Sequence, residues 1–115
     1  MDRDAKQVLV RTLAKKNQGD PRGALILWSR HATMELINEG WTRGLVEASL
    51  VECVVIEDYP SFHRPLPDCL VLGWTADGQA VHAVVALDES RERLFVVTVY
   101  RPSPEEWKDD WRTRK

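Results

Sequence analysis

Apolar positions recur at helical spacing in the first half of the chain, then close up into short continuous runs from residue 53 onward. Over residues 4–17, Val8, Leu9, Thr12 and Leu13 mark one side of a helix, with acids at its start and Lys15 and Lys16 in its last turn. Gly19 and Pro21 stop it. Residues 23–28 form a brief apolar run that reads as a short strand or as an extended lead into the next element. Ser29 offers an N-cap for a second helix, whose apolar side is Ala32, Met34, Leu36 and Ile37 and whose end is Gly40. Thr42 offers a cap for a third helix through Leu50, with Leu45, Val46, Ser49 and Leu50 facing inward.

The runs at 53–56, 69–72, 81–87 and 94–100 are separated by connections rich in Pro, Asp and Gly, which predicts four strands in an antiparallel meander. Asp77-Gly78 is a hairpin signal, and residues 88–93 make a charged turn. The last two runs are almost wholly apolar, so they belong in the middle of the sheet, buried on both faces. Pro102 then breaks the chain, and Ser103 with Pro104 opens a short C-terminal helix that places Trp107 and Trp111 on one face, packed on the sheet. The expected fold class is α+β: N-terminal helices on a four- to five-stranded, mainly antiparallel sheet, closed by a short C-terminal helix.

A chain of 115 residues with 43% apolar residues and five tryptophans has material for one core, so a single domain is expected, with a helix and turn in residues 1–22 and the remainder in 23–115. No apolar run approaches the roughly 20 residues of a membrane span, and the start Met1-Asp2-Arg3-Asp4 lacks the apolar stretch of a secretory signal. The expectation is a cytoplasmic protein with no membrane partner. Cys53 and Cys69 lie in strand-like runs without a CxxC spacing, as core thiols do.

The net charge of −2 conceals basic ends and an acidic middle: +4 over residues 1–30, −5 over 31–60, −3 over 61–90 and +2 over 91–115. Such a distribution permits a local site for an anion but disfavours indiscriminate nucleic-acid binding.

The words HATMELI (31–37), VIEDYP (55–60), RPLPDCLVLG (64–73), HAVVAL (82–87), VTVYRPSPEEW (97–107) and RTRK (112–115) resemble a family of small bacterial domains of unassigned function. The resemblance spans about residues 23–115. Members are often encoded beside a small zinc-finger protein of the MqsA antitoxin type. The resemblance implies a helix–sheet fold akin to the RelE, BrnT and MqsR toxins, ribonucleases that act on mRNA, with a zinc-finger antitoxin as partner. It transfers no catalytic residue, and the acidic balance departs from the basic character of RNA-cutting relatives.

Metal-independent RNA cleavage needs a base for the 2′-hydroxyl, a cation for the phosphorane and an acid for the leaving oxygen. The candidates are His31, at a helix start where amides favour an anion; His82, opening an apolar strand on the same side as Val84 and Ala86; Tyr59; and Tyr100 with Arg101 at the end of the last strand. Each also has a structural explanation, His82 most plainly as a histidine bonded to a carbonyl or carboxylate. Asp58, Tyr59, His63 and Arg64 crowd one proline-bounded connection. His31 and Glu35 share a helical face, but three scattered histidines and no HExxH predict no metal, and no glycine-rich phosphate loop or other cofactor signature is present. Two readings remain: a RelE-like endoribonuclease toxin, and a non-catalytic interaction module of the same fold, docking a protein through the loop 57–66 or a strand edge.

Overall fold

The computed structural model describes residues 1–20, 22, 24–60 and 65–115. Helix α1 (Arg3–Gly19) is capped by the Asp2 carboxylate, which accepts from the Ala5 amide. Strand β1 (Ile26–Trp28) leads into α2 (Arg30–Glu39), where Ser29 Oγ accepts from Ala32 N and Gly40, at φ 71°, closes the helix in the left-handed conformation. Thr42 Oγ1 caps α3 (Arg43–Ser49) through the Leu45 amide. Then follow β2 (Val54–Asp58), β3 (Asp68–Trp74), β4 (Ala80–Asp88) and β5 (Arg93–Tyr100), with a 3₁₀ turn at Glu89–Arg91 between the last two.

The sheet order is β1-β5-β4-β3-β2. Strands β2 to β5 form the expected antiparallel meander, and β1 adds to β5 in parallel, so the sheet is five-stranded and mixed. The apolar strands β4 and β5 sit inside it, as their sequence predicts, but β5 is fully buried on one face only, with Phe95, Val97 and Tyr100 half-buried on the other.

One face carries the core. Val71, Ala83, Val85, Val96 and Val99 pack there against Val10, Leu13 and Ala14 of α1, Ala32 and Leu36 of α2, and Val46 with Leu50. Each fully buried valine or leucine among them contributes about 1.5–3 kcal/mol. Both thiols, Cys53 and Cys69, are buried, and burial pushes each up to about 12. Gly73 lets β3 meet the end of α3, because a Cβ there would lie 2.4 Å from Ser49 O.

Three further expectations are corrected. The inward face of α1 is Lys6, Val10, Leu13, Ala14 and Asn17, while Val8 is 64% exposed. The polar Lys6 belongs to that face because its ammonium is held by Asp58 and by the carbonyls of Tyr59 and Asp68. On α2 only Ala32 and Leu36 turn inward, and Met34 and Ile37 face solvent because one four-residue step of the helix suffices to cover β5.

The third correction concerns the C-terminal segment, which forms no helix. Trp107 bridges Arg114 in antiparallel fashion, and the chain between them turns on Asp110, whose carboxylate accepts from the amides of Arg112 and Thr113. Trp111 sits at φ 59°, a left-handed conformation that no helix continues. The signal in Ser103 and Pro104 is overridden because Trp107 is buried to 1% exposure against the second face of the sheet.

Candidate functional site

The face of the sheet opposite α1 and α2 is the one this C-terminal hairpin crosses. Register places Leu72, His82 and Tyr100 side by side on neighbouring strands of that face. Trp107 lies edge-on to the His82 ring with centroids 4.5 Å apart, and the Tyr100 ring stands 5.3 Å from it. His82 therefore has no exposed surface.

Both imidazole nitrogens are engaged. Nε2 is 2.7 Å from the Trp111 carbonyl oxygen, which can only accept, so Nε2 carries the proton. Nδ1 is then the acceptor for the Tyr100 hydroxyl at 3.3 Å. Burial holds His82 below its ordinary pKa, in the neutral form this arrangement needs.

Beside it, the end of β2 supplies an acid. The Glu57 carboxylate accepts two bonds from Arg114, at 2.6 Å from Nε and 3.2 Å from Nη2, and a third from the Tyr59 hydroxyl at 2.9 Å. The Arg114 bond holds Glu57 below its usual range, and burial with the Glu57 bond raises Tyr59. Burial likewise raises Tyr100. The Arg114 guanidinium covers the Trp107 ring at 4.6 Å, so the hairpin both positions the cation and seals the imidazole.

Of the residues singled out from the sequence, the structure gathers Tyr59, His82 and Tyr100. His31 is exposed and pairs with Glu35 at 3.2 Å. Arg101 donates to Gln79 Oε1 at 2.7 Å and stacks over Trp41 at 5.2 Å, on the other flank of the hairpin, where a depression of about 480 Å³ is bordered by Arg101, Pro104 and Trp111. His63 and Arg64 lie outside the described residues. Neither Glu57 nor Arg114 is among the residues singled out for catalysis: Glu57 opens the loop 57–66 and Arg114 lies in the basic tail, and no local pattern pairs the two. Among the described residues no group of three His, Cys, Asp or Glu side chains is arranged to hold a metal, and no helix is long and apolar enough to cross a membrane.

An α+β domain with helices on one face of a meander and an acid, two phenols, an arginine and an imidazole on the other is the class that fold and site define. More particularly, the chain belongs to the family described as a domain of unknown function, DUF4258, which it matches over residues 28–101, more than half its length. No curated protein and no solved structure matches the chain significantly. The matched span contains Glu57, Tyr59, His82 and Tyr100, whereas α1 and the hairpin with Trp107 and Arg114 lie beyond it.

Proposed function

We propose that this protein is a metal-independent endoribonuclease acting on mRNA, the toxin of a toxin–antitoxin pair of the RelE kind, and that its site is the cluster of Glu57, Tyr59, Tyr100 and Arg114 with His82 behind it. The observation that carries the proposal is the pair of hydrogen bonds that Arg114 donates to a carboxylate that also accepts from a phenol. A guanidinium in that geometry suits a phosphate equally well. An RNA phosphate that takes Arg114 from Glu57 releases the carboxylate from the influence that keeps it a weak base.

Glu57 then accepts the 2′-hydroxyl proton, the 2′-oxygen bonds to phosphorus, and Arg114 stabilises the charge on the phosphorane. The bond to the 5′-oxygen breaks as a tyrosine hydroxyl donates its proton, leaving a cyclic phosphate and a free 5′-hydroxyl. Tyr59 and Tyr100, both raised, keep that proton at neutral pH. His82 is a positioning residue that acts through Tyr100. A small zinc-finger antitoxin is the proposed neutralising partner.

A second reading, the interaction module, is favoured by the complete burial of His82 and by an apolar groove of about 470 Å³ between Ser29, Pro65, Leu66, Ala86, Phe95 and Val97. Inducible expression in a bacterial host separates the two, with growth and mRNA integrity followed for wild type, Glu57→Gln and Arg114→Ala at matched soluble levels. Arrest with mRNA loss that both substitutions abolish, and that His31→Ala leaves intact, supports the ribonuclease. Normal growth and intact mRNA with soluble wild type sink it.

A further inference from the structure

The depression on the far flank of the hairpin, about 480 Å³, is of the size that holds a small planar ligand. Gln79 and Arg101 give it polar groups, and Pro102, Pro104 and half-buried Trp111 give it apolar walls. Trp111 also links it to the cluster across the hairpin, since its carbonyl is the acceptor for His82. Arg101 is already fixed in place. Its Nη2 donates to Gln79 Oε1 at 2.7 Å, and its guanidinium lies over the Trp41 ring at 5.2 Å. That bond occupies a single N–H of a planar donor fork.

The acceptors nearby are spent within the protein. Gln79 Oε1 accepts from Arg101 and from the Trp41 indole at 3.4 Å, and Gln79 Nε2 donates to Asp77 Oδ2 at 2.8 Å. The other Asp77 oxygen accepts from the Thr75 hydroxyl. The bonds from Thr75 and Gln79, with a smaller pull from Arg101, hold Asp77 below its usual range, so a fixed negative charge stands near the guanidinium. A second anion gains little beside that charge. A neutral ring with two adjacent acceptors gains two charge-assisted hydrogen bonds.

Resting on the ribonuclease reading above, we infer that this depression is the subsite for one base of the RNA, and that the base is guanine. Guanine presents O6 and N7 side by side, the edge that an arginine fork meets with two bonds. Adenine asks for a donor and an acceptor together, as a free glutamine amide would give, but the oxygen of Gln79 is occupied. Cytosine presents an amino group and needs an acceptor of the kind Asp77 has already committed. Uracil offers a lone oxygen on the same edge. Single-stranded RNA exposes these edges and lets a base lie against flat side chains. Trp111 and Arg114 are at most about 11 Å apart along the chain, so the base read here and the phosphate held by Arg114 belong to nearby nucleotides.

The test is the affinity of the wild-type full chain for the 2′-O-methyl trinucleotides UGU, UAU, UCU and UUU, measured by titration calorimetry. The blocked 2′-oxygens prevent cleavage, so binding is read without the chemistry. UGU is expected to bind about tenfold tighter than the other three, the discrimination of one arginine–guanine pair. Arg101→Lys, which keeps the charge and loses the fork, should bind all four alike. Equal affinity of wild type for the four, no binding at all, or a preference for UGU that survives in folded Arg101→Lys overturns the inference. A preference for UGU that Arg101→Lys abolishes, in a protein that leaves mRNA intact in cells, upholds the subsite and counts against the ribonuclease alone.

Discussion

His82 Nε2 donates to the Trp111 carbonyl across 2.7 Å, tying the middle strand of the sheet to the turn of the C-terminal hairpin. The bond joins a residue inside the family span to one outside it. Protonation would leave this bond intact but place a charge on a buried ring and turn Nδ1 from the acceptor of the Tyr100 hydroxyl into a donor, so the packing around His82 is sensitive to acid.

Burial lowers the folded pKa of His82 below its ordinary 6.5, so between the two values the unfolded chain binds more protons than the folded one. The contribution of His82 is complete above about pH 6.5 and is lost as pH falls through the folded value. Melting temperature is expected to decline on acidification within that window. In His82→Gln this first decline should vanish, leaving the later one in which Glu57, also held below its ordinary 4.5, takes up its proton.

Trp107→Ala removes the ring that lies between the His82 edge and the Arg114 guanidinium. Chemical denaturation should show a loss of about 3–5 kcal/mol, the usual result of truncating a buried tryptophan. A loss under about 1 kcal/mol, as at surface positions, would mean the hairpin is not packed as described.

Glu57→Gln separates stability from chemistry. Arg114 is 55% exposed and Glu57 25%, so solvent screens their pair and its removal should lower stability by about 1 kcal/mol or less. RNA cleavage, by the proposed mechanism, should disappear altogether. Parallel loss of fold and activity would assign Glu57 a structural role only.

Gly73→Ala is expected to destabilise by about 1–3 kcal/mol, because the added methyl would meet the Ser49 carbonyl, a backbone group that cannot rotate aside. A neutral effect in denaturant titration would show that α3 can withdraw from β3.

On α2 the contrast lies between neighbours. Leu36→Ala should lose about 2–5 kcal/mol, while Met34→Lys and Ile37→Lys should each stay within about 0.5 kcal/mol, because these two side chains are 55% and 65% exposed. A large loss at Ile37 would restore the wider apolar face read from the sequence.

The sequence by itself determined the elements whose signals are local. Ser29, Thr42 and Gly40 mark helix ends through bonds that span three or four residues, and the apolar runs of β4 and β5 declare central strands wherever they pair. His82 is legible as a histidine bonded to a carbonyl or a carboxylate, though the sequence decides neither which kind nor which residue. Only the tertiary structure decided the inward face of α1, because Lys6 finds its acceptors in Asp58, Tyr59 and Asp68, more than fifty residues away. It alone turned the C-terminal segment from a helix into a hairpin, since the burial of Trp107 outweighs a proline and a cap. It alone brought Glu57 and Arg114 together, a pair 57 residues apart along the chain. Capping and periodicity act within a turn or a strand, whereas the composition of a site depends on which distant surfaces the packed sheet brings into contact.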